Sequence, residues 1–384
     1  MMIQVGNGVY LNKPNLEIAK IDTEERGWRE LIAPYRNSTP WRSIIQLVNT
    51  VIPFFLTFYL LYLSLSYSYW ITLALSPLVA GFQLRLFIIF HDCCHMSFFK
   101  SQKTNAVIGS ILGVFCFTPY YHWRFYHAIH HATTGNLTKR LEGEIVPLTI
   151  QKYMQTNGDV LTLTVKEYVQ LSSKQRLIYR LYRWFLLFVF ITPLLVFLVM
   201  HRLANSQADK RARYSVYGTN LALAVIIVGL SFLIGFLPLV LITVPVLGMA
   251  ATVGVWLFYI QHQFEDTYWE AVPEWNYVDA AMQGSSFYKL PLILQWFTGN
   301  IGYHHIHHLN PRIPNYNLQK CHESSQFFGK TKALTLTTGL KSIFFRLWDE
   351  DERKMVGFGS SCVKGLQKNE LESRLVSISQ EESS

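Results

Sequence analysis

The sequence predicts an all-α integral membrane protein with about four transmembrane helices, further interfacial helices and a histidine-rich cap on the cytosolic side. Only 15% of the 384 residues are charged, whereas 50% are hydrophobic. The mean hydropathy is positive, at +0.18, which is typical of membrane proteins. The histidines lie in clusters next to the apolar segments. These observations together predict polar chemistry at the edge of a membrane domain.

Apolar runs long enough to cross a bilayer occupy residues 44–63, 70–90 and 221–260. The last run has about twice the required length. It is divided by the sequence GFLP at residues 235–238, where glycine and proline favour a turn between two helices. Four crossings are therefore expected.

Two other apolar runs are poor candidates for crossing. Residues 107–118 have about half of the necessary length. Residues 184–200 contain Pro193 at their centre and are flanked by basic residues, so a continuous helix is disfavoured. We expect both to be interfacial or re-entrant. If residues 184–200 crossed instead, the later histidines would face the opposite compartment.

The distribution of positive charge predicts the orientation. Lysine and arginine are frequent in the first 43 residues, in residues 132–183 and in residues 202–213, but absent from residues 64–69 and 235–238. Because basic loops remain in the cytoplasm, both termini and the histidine clusters are predicted to be cytoplasmic. The net charge of +9 is interpreted as topology and attraction to anionic lipid, and no nucleic-acid partner is expected.

We divide the chain into a cytosolic N-terminal arm (1–43), a membrane domain (44–348) and a polar, mobile C-terminal tail (349–384). The arm lacks the basic start and short apolar core of a cleaved signal peptide. The chain has 5 cysteines, and their spacing suits neither a disulfide framework nor a zinc ribbon. Reduced cytosolic thiols are therefore expected.

Three short histidine clusters are the main candidates for chemistry: HDCCH at 91–95, HAIHH at 127–131 and HHIHH at 304–308. Within them histidines recur three and four residues apart, which places them on one face of a helix. The predicted topology brings the clusters together on the cytosolic side, with His262 at the end of the last crossing. The candidate metal ligands are His91, His95, His127, His130, His131, His262, His304, His307 and His308.

So many imidazoles exceed the four ligands of a structural zinc site and suit two metal ions. Imidazole alone does not select the element, because iron, copper, nickel and zinc all accept it. A site at a lipid interface suits oxygen chemistry on lipid chains, which favours iron. Asp92 and Glu265 are the candidate acceptors for the ring N–H of a ligand.

The remaining polar groups in apolar surroundings are predicted to have structural roles. His122, His201, His305 and His322 are assigned no function, and His305 breaks the spacing that the second and third clusters share. Arg85, within the second apolar run, is expected to extend its side chain to the cytoplasmic interface.

The sequences HDCCHMSFF, WRFYHAIHHATTGNL and TGNIGYHHIHHLNPRIPNY resemble the three histidine boxes of the membrane fatty acid desaturases, and within them the bacterial acyl-lipid type. The resemblance covers residues 41–348. It implies a non-haem di-iron centre in the cytosolic cap, O2 as co-substrate and formation of a cis double bond in a lipid-linked acyl chain. It also implies a bacterial inner-membrane location.

The resemblance identifies the eight box histidines as iron ligands and His262 as the additional ligand outside the boxes. Two positions differ from relatives: Cys94 stands where many have glycine, and Phe258 stands where the acyl-CoA branch has an asparagine that acts through water. A narrow apolar channel would select one carbon pair. Its candidate lining residues are Trp123, Trp256, Tyr259 and Trp296.

The electrons for such a reaction are expected from another protein. The chain contains neither the HPGG signature of a fused cytochrome b5 domain nor clustered cysteines for an iron–sulfur centre. The resemblance suggests ferredoxin or flavodoxin, which are acidic. Either such a donor or anionic lipid would be attracted by the basic cytosolic residues. These are Lys139, Arg140, Arg202, Lys210, Arg211 and Arg213.

Two other functions are compatible with the same residues. A di-iron lipid hydroxylase or carotenoid ketolase would use similar histidine boxes. A non-enzymatic membrane metal-binding or transport protein would instead place its ligands near the bilayer midplane, whereas these clusters follow the ends of the predicted helices.

Overall fold

A computed structural model describes residues 27–139, 160–204 and 208–368, and the backbone of a short antiparallel hairpin between β1 (Met2–Val5) and β2 (Val9–Asn12). In these residues the chain is mostly helical, and the predicted fold class is confirmed. The described part contains four helices that are long and apolar enough to cross a membrane. They are α1 (Pro40–Ser64), α2 (Tyr69–Cys94), α8 (Lys210–Ile234) and α9 (Phe236–His262).

Local sequence determines where these helices begin and end. Pro40 occupies the start of α1, where its missing N–H costs nothing. The Ser68 side chain caps α2 and the Asp209 carboxylate caps α8, each by accepting a backbone N–H of the first turn. Gly235, at φ +87°, separates α8 from α9, because this conformation is readily adopted only by glycine.

The helix α2 is at the centre of the membrane domain. It buries 61% of its most apolar window, whereas α1 buries 22% and α8 buries 11%. The exposed apolar side chains of α1 and α8 therefore face lipid, whereas α2 is the most buried of the four helices. This central position explains why His91, Asp92 and Arg85 are buried.

Arg85 does not extend to the interface as expected. Its side chain is buried, its Nε lies 3.1 Å from Thr50 Oγ1 of α1, and another guanidinium nitrogen donates to the Trp296 carbonyl. These bonds hold the cation within the protein, because they supply the polar partners that it would otherwise seek in water.

The short apolar run at 107–118 forms α3 (Gln102–Phe115) and a tight turn that leads into α4 (Tyr120–Thr133). A Cβ on Gly109 would lie 2.3 Å from the Tyr120 ring, and one on Gly113 would lie 2.5 Å from the Thr118 carbonyl oxygen. The two glycines thus permit α3 to lie close to the chain that follows it. As predicted, α3 does not meet the criteria of a spanning helix.

The second uncertain run forms a bent arrangement. After α5 (Val165–Gln170) and α6 (Ser173–Tyr182), a π-helical turn (Leu187–Ile191), α7 (Thr192–Leu198) and a 3-10 turn (Met200–Arg202) follow. Helix α6 and the segment Leu187–Arg202 meet at 55°, a geometry common to broken spans and re-entrant loops. The interfacial or re-entrant interpretation therefore stays a prediction.

A cap of short elements follows α9. Its α-helices are α10 (Tyr277–Met282), α11 (Leu292–Phe297), α12 (His304–Leu309), α13 (Asn315–Glu323) and α14 (Leu336–Leu340). Its 3-10 turns are Phe328–Lys330 and Lys341–Phe344, and a further one, Ala33–Tyr35, precedes α1. Strands β4 (Phe287–Tyr288) and β5 (Ala333–Leu334) pair in parallel.

The boundary at residue 348 was wrong, because part of the predicted tail is folded. Strand β6 (Leu347–Asp349) pairs with β3 (Leu163–Thr164) and with β7 (Lys354–Val356). Residues 361–368 are helical, and Val363 is fully buried. Apolar residues of an otherwise polar segment, among them Met355 and Val356, thus belong to a small three-stranded sheet. Residues 369–384 lie outside the described part of the chain.

Candidate metal centre

All nine predicted ligands converge at the cap ends of the membrane helices. His91 and His95 lie at the end of α2, His262 ends α9, and α4 and α12 carry the other two clusters. Among the described residues, their ring nitrogens form two groups that could each hold a metal ion. The five-histidine pocket consists of His91, His95, His127, His131 and His307, and the four-histidine pocket of His130, His262, His304 and His308.

Helical geometry explains how two neighbouring clusters supply both pockets. His127 and His131 are one turn apart on α4 and enter the five-histidine pocket, whereas His130 enters the other. On α12, His307 and His308 are adjacent, and their rings are nearly perpendicular at 88°. Consecutive helical residues point about 100° apart, so one short helix reaches two sites.

In the five-histidine pocket the Nε2 atoms face one another. His127 Nε2 lies 3.1 Å from both His91 Nε2 and His131 Nε2, and His131 Nε2 lies 3.0 Å from His307 Nε2. In the four-histidine pocket, His304 Nε2 lies 3.0 Å from His262 Nε2. Every candidate ligand has its coordinating nitrogens within 4.8 Å of those of its own group.

Six of these rings have the protonation state that metal binding requires. Burial and the neighbouring imidazoles lower the pKa values of His95, His127, His131, His304, His307 and His308 well below that of free histidine. The rings are therefore neutral at pH 7 and offer lone pairs. Converging lone pairs are stabilised by a cation, and within the described residues His95 Nε2 and His308 Nε2 are buried without a hydrogen-bond partner.

Asp92 lies where a supporting carboxylate was predicted. Its Oδ1 is 3.4 Å from His91 Nδ1, and its Oδ2 accepts hydrogen bonds from the Asn315 backbone N–H at 2.7 Å and side-chain amide at 2.8 Å. Asn315 is the first residue of α13, so the carboxylate also stabilises a helix N-terminus. Sequence reasoning missed Asn315, although it lies in the NPRIPNY segment that follows the third box.

Glu265 does not occupy the predicted position. It is exposed, whereas His262 Nδ1 lies 3.0 Å from the carbonyl oxygen of Gly284. The helix α9 ends at His262, so the chain turns away and carries the carboxylate toward the surface. A backbone carbonyl leaves no side-chain signal in the sequence, which is why this acceptor was not predicted.

The four proposed channel residues have different surroundings. Trp123 stacks on His127 with ring centroids 4.1 Å apart, which places it beside the five-histidine pocket. Trp256 stacks on Tyr259 at 6.1 Å. The Tyr259 hydroxyl bonds to the Ser342 and Phe345 carbonyls, which makes it part of a buried polar junction instead of an apolar lining.

The fourth of these residues, Trp296, lies 3.9 Å beneath the Arg85 guanidinium, on the membrane side of the pockets. In the sequence, Phe258 was distinguished only because it stands where the acyl-CoA branch has an asparagine. Its ring centroid lies 5.0 Å from that of His130 and 5.6 Å from that of His262, so it covers one side of the four-histidine pocket.

The four histidines without an assigned function lie outside both pockets. His305 Nε2 is 3.0 Å from His322 Nδ1, and His201 Nδ1 is 3.3 Å from the Phe117 carbonyl. The His122 ring packs against that of Tyr126 at 4.9 Å. The exclusion of His305 from the third cluster thus agrees with the geometry.

The basic residues are only partly available to a partner. Lys210 and Arg211 are exposed at the start of α8, and Arg213 follows them on the same turn. Arg211 also donates to the Tyr121 hydroxyl at 2.5 Å. Arg202 binds the Phe117 carbonyl and Asn220. Lys139 lies at the edge of the described residues, and Arg140 lies outside them.

Comparison with known proteins agrees with this geometry. The family described as "Fatty acid desaturase" matches residues 68–337, which include all nine candidate ligands. A fatty acid desaturase of Bacillus subtilis is 45% identical over 327 residues, covering 85% of this chain and 89% of the relative.

More distant relatives have narrower names. An omega-3 fatty acid desaturase from the chloroplast of Sesamum indicum is 27% identical over 75% of this chain and 62% of the relative. An sn-1 oleoyl-lipid 12-desaturase of Synechocystis is 25% identical over 68% of this chain and 71% of the relative. The family match, the Bacillus relative and the four apolar helices, two of which end at the histidine pockets, agree, and the chain is a member of the fatty acid desaturase family.

Proposed function

We propose that this protein is a membrane desaturase that uses two non-haem iron ions and O2 to insert a cis double bond into a lipid-linked acyl chain. The observation that carries the proposal is the pair of adjacent all-imidazole pockets at the ends of the membrane helices. Nine converging histidines next to lipid have no structural purpose that a few apolar residues would not serve better.

The number of ligands in one pocket supports iron over zinc. The five-histidine pocket offers one ligand more than the four of a tetrahedral zinc site. Imidazole also suits iron well.

Bound iron would supply activation of O2 and removal of two hydrogens from the acyl chain. The protein would supply position and environment. The ligand rings His127, His131 and His307 are at most 9% exposed, so water is largely excluded from the reaction. Asp92 would accept a hydrogen bond from the Nδ1–H group of His91. This bond would direct the Nε2 lone pair of His91 toward the metal.

An acyl-lipid substrate is supported by the position of the site and by one relative. The pockets lie at the ends of α2 and α9, whose neighbours α1 and α8 expose apolar side chains to the membrane. An acyl chain could therefore enter without leaving the bilayer. The Synechocystis relative is named for an oleoyl-lipid, which is consistent with this substrate class.

For location, we propose the bacterial inner membrane, with the pockets and both termini in the cytoplasm. The exposed Lys210 and Arg211 support this orientation by the positive-inside rule. They would also attract an acidic electron donor such as ferredoxin or flavodoxin. Anionic lipid is the competing partner for the same charges, and a tyrosine-flanked interface suits it: Tyr214 and Tyr217 are 70% and 57% exposed.

The test is expression in a host whose lipids are then analysed by gas chromatography, with metal analysis of the purified protein. We expect a new acyl species with one more double bond than its precursor and about two iron ions per chain, as two pockets require. A hydroxylated or ketolated product would assign the chain to those enzymes instead. Bound metal without any new product, in the presence of a functional donor, would favour the metal-binding alternative.

A further inference from the structure

The helix before the third histidine cluster lies beside the interior of a transmembrane helix. A Cβ placed on Gly81 of α2 would lie 2.9 Å from the Phe297 ring of α11. The Phe82 ring contacts those of Trp296 and Phe297 at centroid distances of 6.0 and 5.3 Å. Gly81 precedes the end of α2 at Cys94 by about 20 Å along the helix axis, at about 1.5 Å per residue.

At this level the outer surface of α11 is apolar and uncovered. Leu292 is 81% exposed, Ile293 is 68% exposed and Leu294 is 41% exposed. A bilayer hydrocarbon core is about 30 Å thick, so a surface this far along a spanning helix faces acyl chains. On α2, Leu75 and Leu78, which lie about one to two turns before Gly81, are also exposed.

Arg85 provides a hydrogen-bond donor for the C-terminal end of α11. The last carbonyls of a helix lack intrahelical partners, and within a membrane such groups must be satisfied by protein. Arg85 donates to the carbonyl of Trp296, in the last turn of α11, and stacks on its ring. The same carbonyl also accepts the Gly299 backbone N–H at 3.1 Å. Among the described residues no carboxylate forms an ion pair with Arg85, so the helix end is its main counter-group.

The chain then turns back toward the pockets. Gly299 and Asn300 both have positive φ values, 51° and 59°, and a Cβ on Gly299 would lie 2.7 Å from Ile88. Asn300 donates to the Asn315 carbonyl at 3.2 Å. The segment thus enters beside α2, reverses and continues into α12, which carries the third cluster.

We propose that residues 289–303 form a re-entrant segment in the leaflet on the histidine side, and that Leu292, Ile293 and Leu294 contact the acyl chains of membrane lipid. The observations that carry this are the depth of α11 beside Gly81, its exposed apolar face and the capping of its C-terminal carbonyl by a buried arginine.

The test is labelling of single cysteines with a membrane-impermeant maleimide in vesicles opened to both faces. Ile293→Cys is made in a Cys362→Ser background, because Cys362 is the partly exposed native thiol and the other four are buried. The matched controls are Gln326→Cys, at an exposed polar position, and Val228→Cys, on the exposed face of α8. We expect Ile293→Cys to resist labelling as Val228→Cys does and to react after detergent extraction, whereas Gln326→Cys reacts in both states.

Labelling of Ile293→Cys in open vesicles at the rate of Gln326→Cys would overturn the proposal, because the helix would then face water. Resistance in both membrane and detergent would also overturn it, because the helix would then be covered by protein. Leu292→Cys replaces Ile293→Cys if the latter does not fold. The measurement needs neither metal nor turnover, so its result is independent of the proposed catalytic function.

Discussion

The five-histidine pocket and the four-histidine pocket are neighbours built from the same residue type, yet their support differs. The former combines all three clusters and contacts the Asp92 carboxylate through His91. The latter uses none of the first cluster, depends on His262, and has a neutral carbonyl, that of Gly284, behind it. Phe258 covers one side of it. Ligand number and charge therefore predict two unequal metal sites.

The largest expected effect comes from removing a ligand of the five-histidine pocket. His307→Ala should abolish desaturation and reduce bound iron, because the pocket loses an imidazole that faces His131 at 3.0 Å. The control is His305→Ala, two residues away and outside both pockets, which should retain iron and activity. Product analysis and metal content measure both. Full activity in His307→Ala would remove this residue from the ligand set.

The next effect tests the carboxylate that distinguishes the two pockets. Asp92→Asn should lower activity or metal affinity by about 10–100-fold, as for other supports of ligating histidines. An amide oxygen accepts a weaker hydrogen bond from His91 Nδ1–H than a carboxylate does. The amide also interrupts the hydrogen bonds that Asn315 donates to Asp92. Glu265→Gln is the control, because Glu265 is exposed. Equal losses in the two variants, measured by metal titration, would contradict the assignment of Asp92.

Metal removal tests directly whether the two pockets bind their ions with unequal affinity. During dialysis against a chelator, the four-histidine pocket should lose its ion before the five-histidine pocket, because it has one ligand fewer and no charged support. The expected record is iron content falling in two phases, with about one ion per chain at the plateau. A single phase would show that the two pockets bind with equal or strongly coupled affinity.

The smallest expected effect is a gain in metal retention by the four-histidine pocket. Phe258→His would bring a fifth imidazole beside His130 and His262, whose ring centroids lie 5.0 and 5.6 Å from that of Phe258. We expect the faster phase of metal loss to slow, so that the two phases approach each other. Phe258→Leu is the control, because it changes the volume without adding a ligand. An equal change in both variants would assign the effect to packing.

Much of the site could be predicted from local patterns. The i, i+3, i+4 recurrence in HAIHH and HHIHH identified the histidines that face the two pockets, and the break in that pattern excluded His305. Position relative to the apolar runs brought in His262. The support of His262 could not be predicted, because Gly284 contributes only a backbone carbonyl. Asn315 could not be paired with Asp92, since 223 residues separate them.

The predicted tail boundary and the predicted position of Arg85 were wrong for a related reason. Segment 349–368 was predicted to be a tail because its composition is polar, but β6 and β7 pair with β3 and residues 361–368 are helical. Arg85 was predicted to reach water because an isolated arginine in an apolar run does so. Its partners are Thr50 and the Trp296 carbonyl, which belong to other parts of the chain.

The sequence by itself determined the membrane class, the four apolar helices and the identity of the clustered histidines, because hydropathy and helical periodicity depend on neighbouring residues. Only the tertiary structure decided how the nine imidazoles divide into pockets of five and four, and what supports each pocket. That division depends on the crossing of α2, α4, α9 and α12. Contacts between residues that are remote in sequence leave no local periodic signal, so they emerge only when the helices pack.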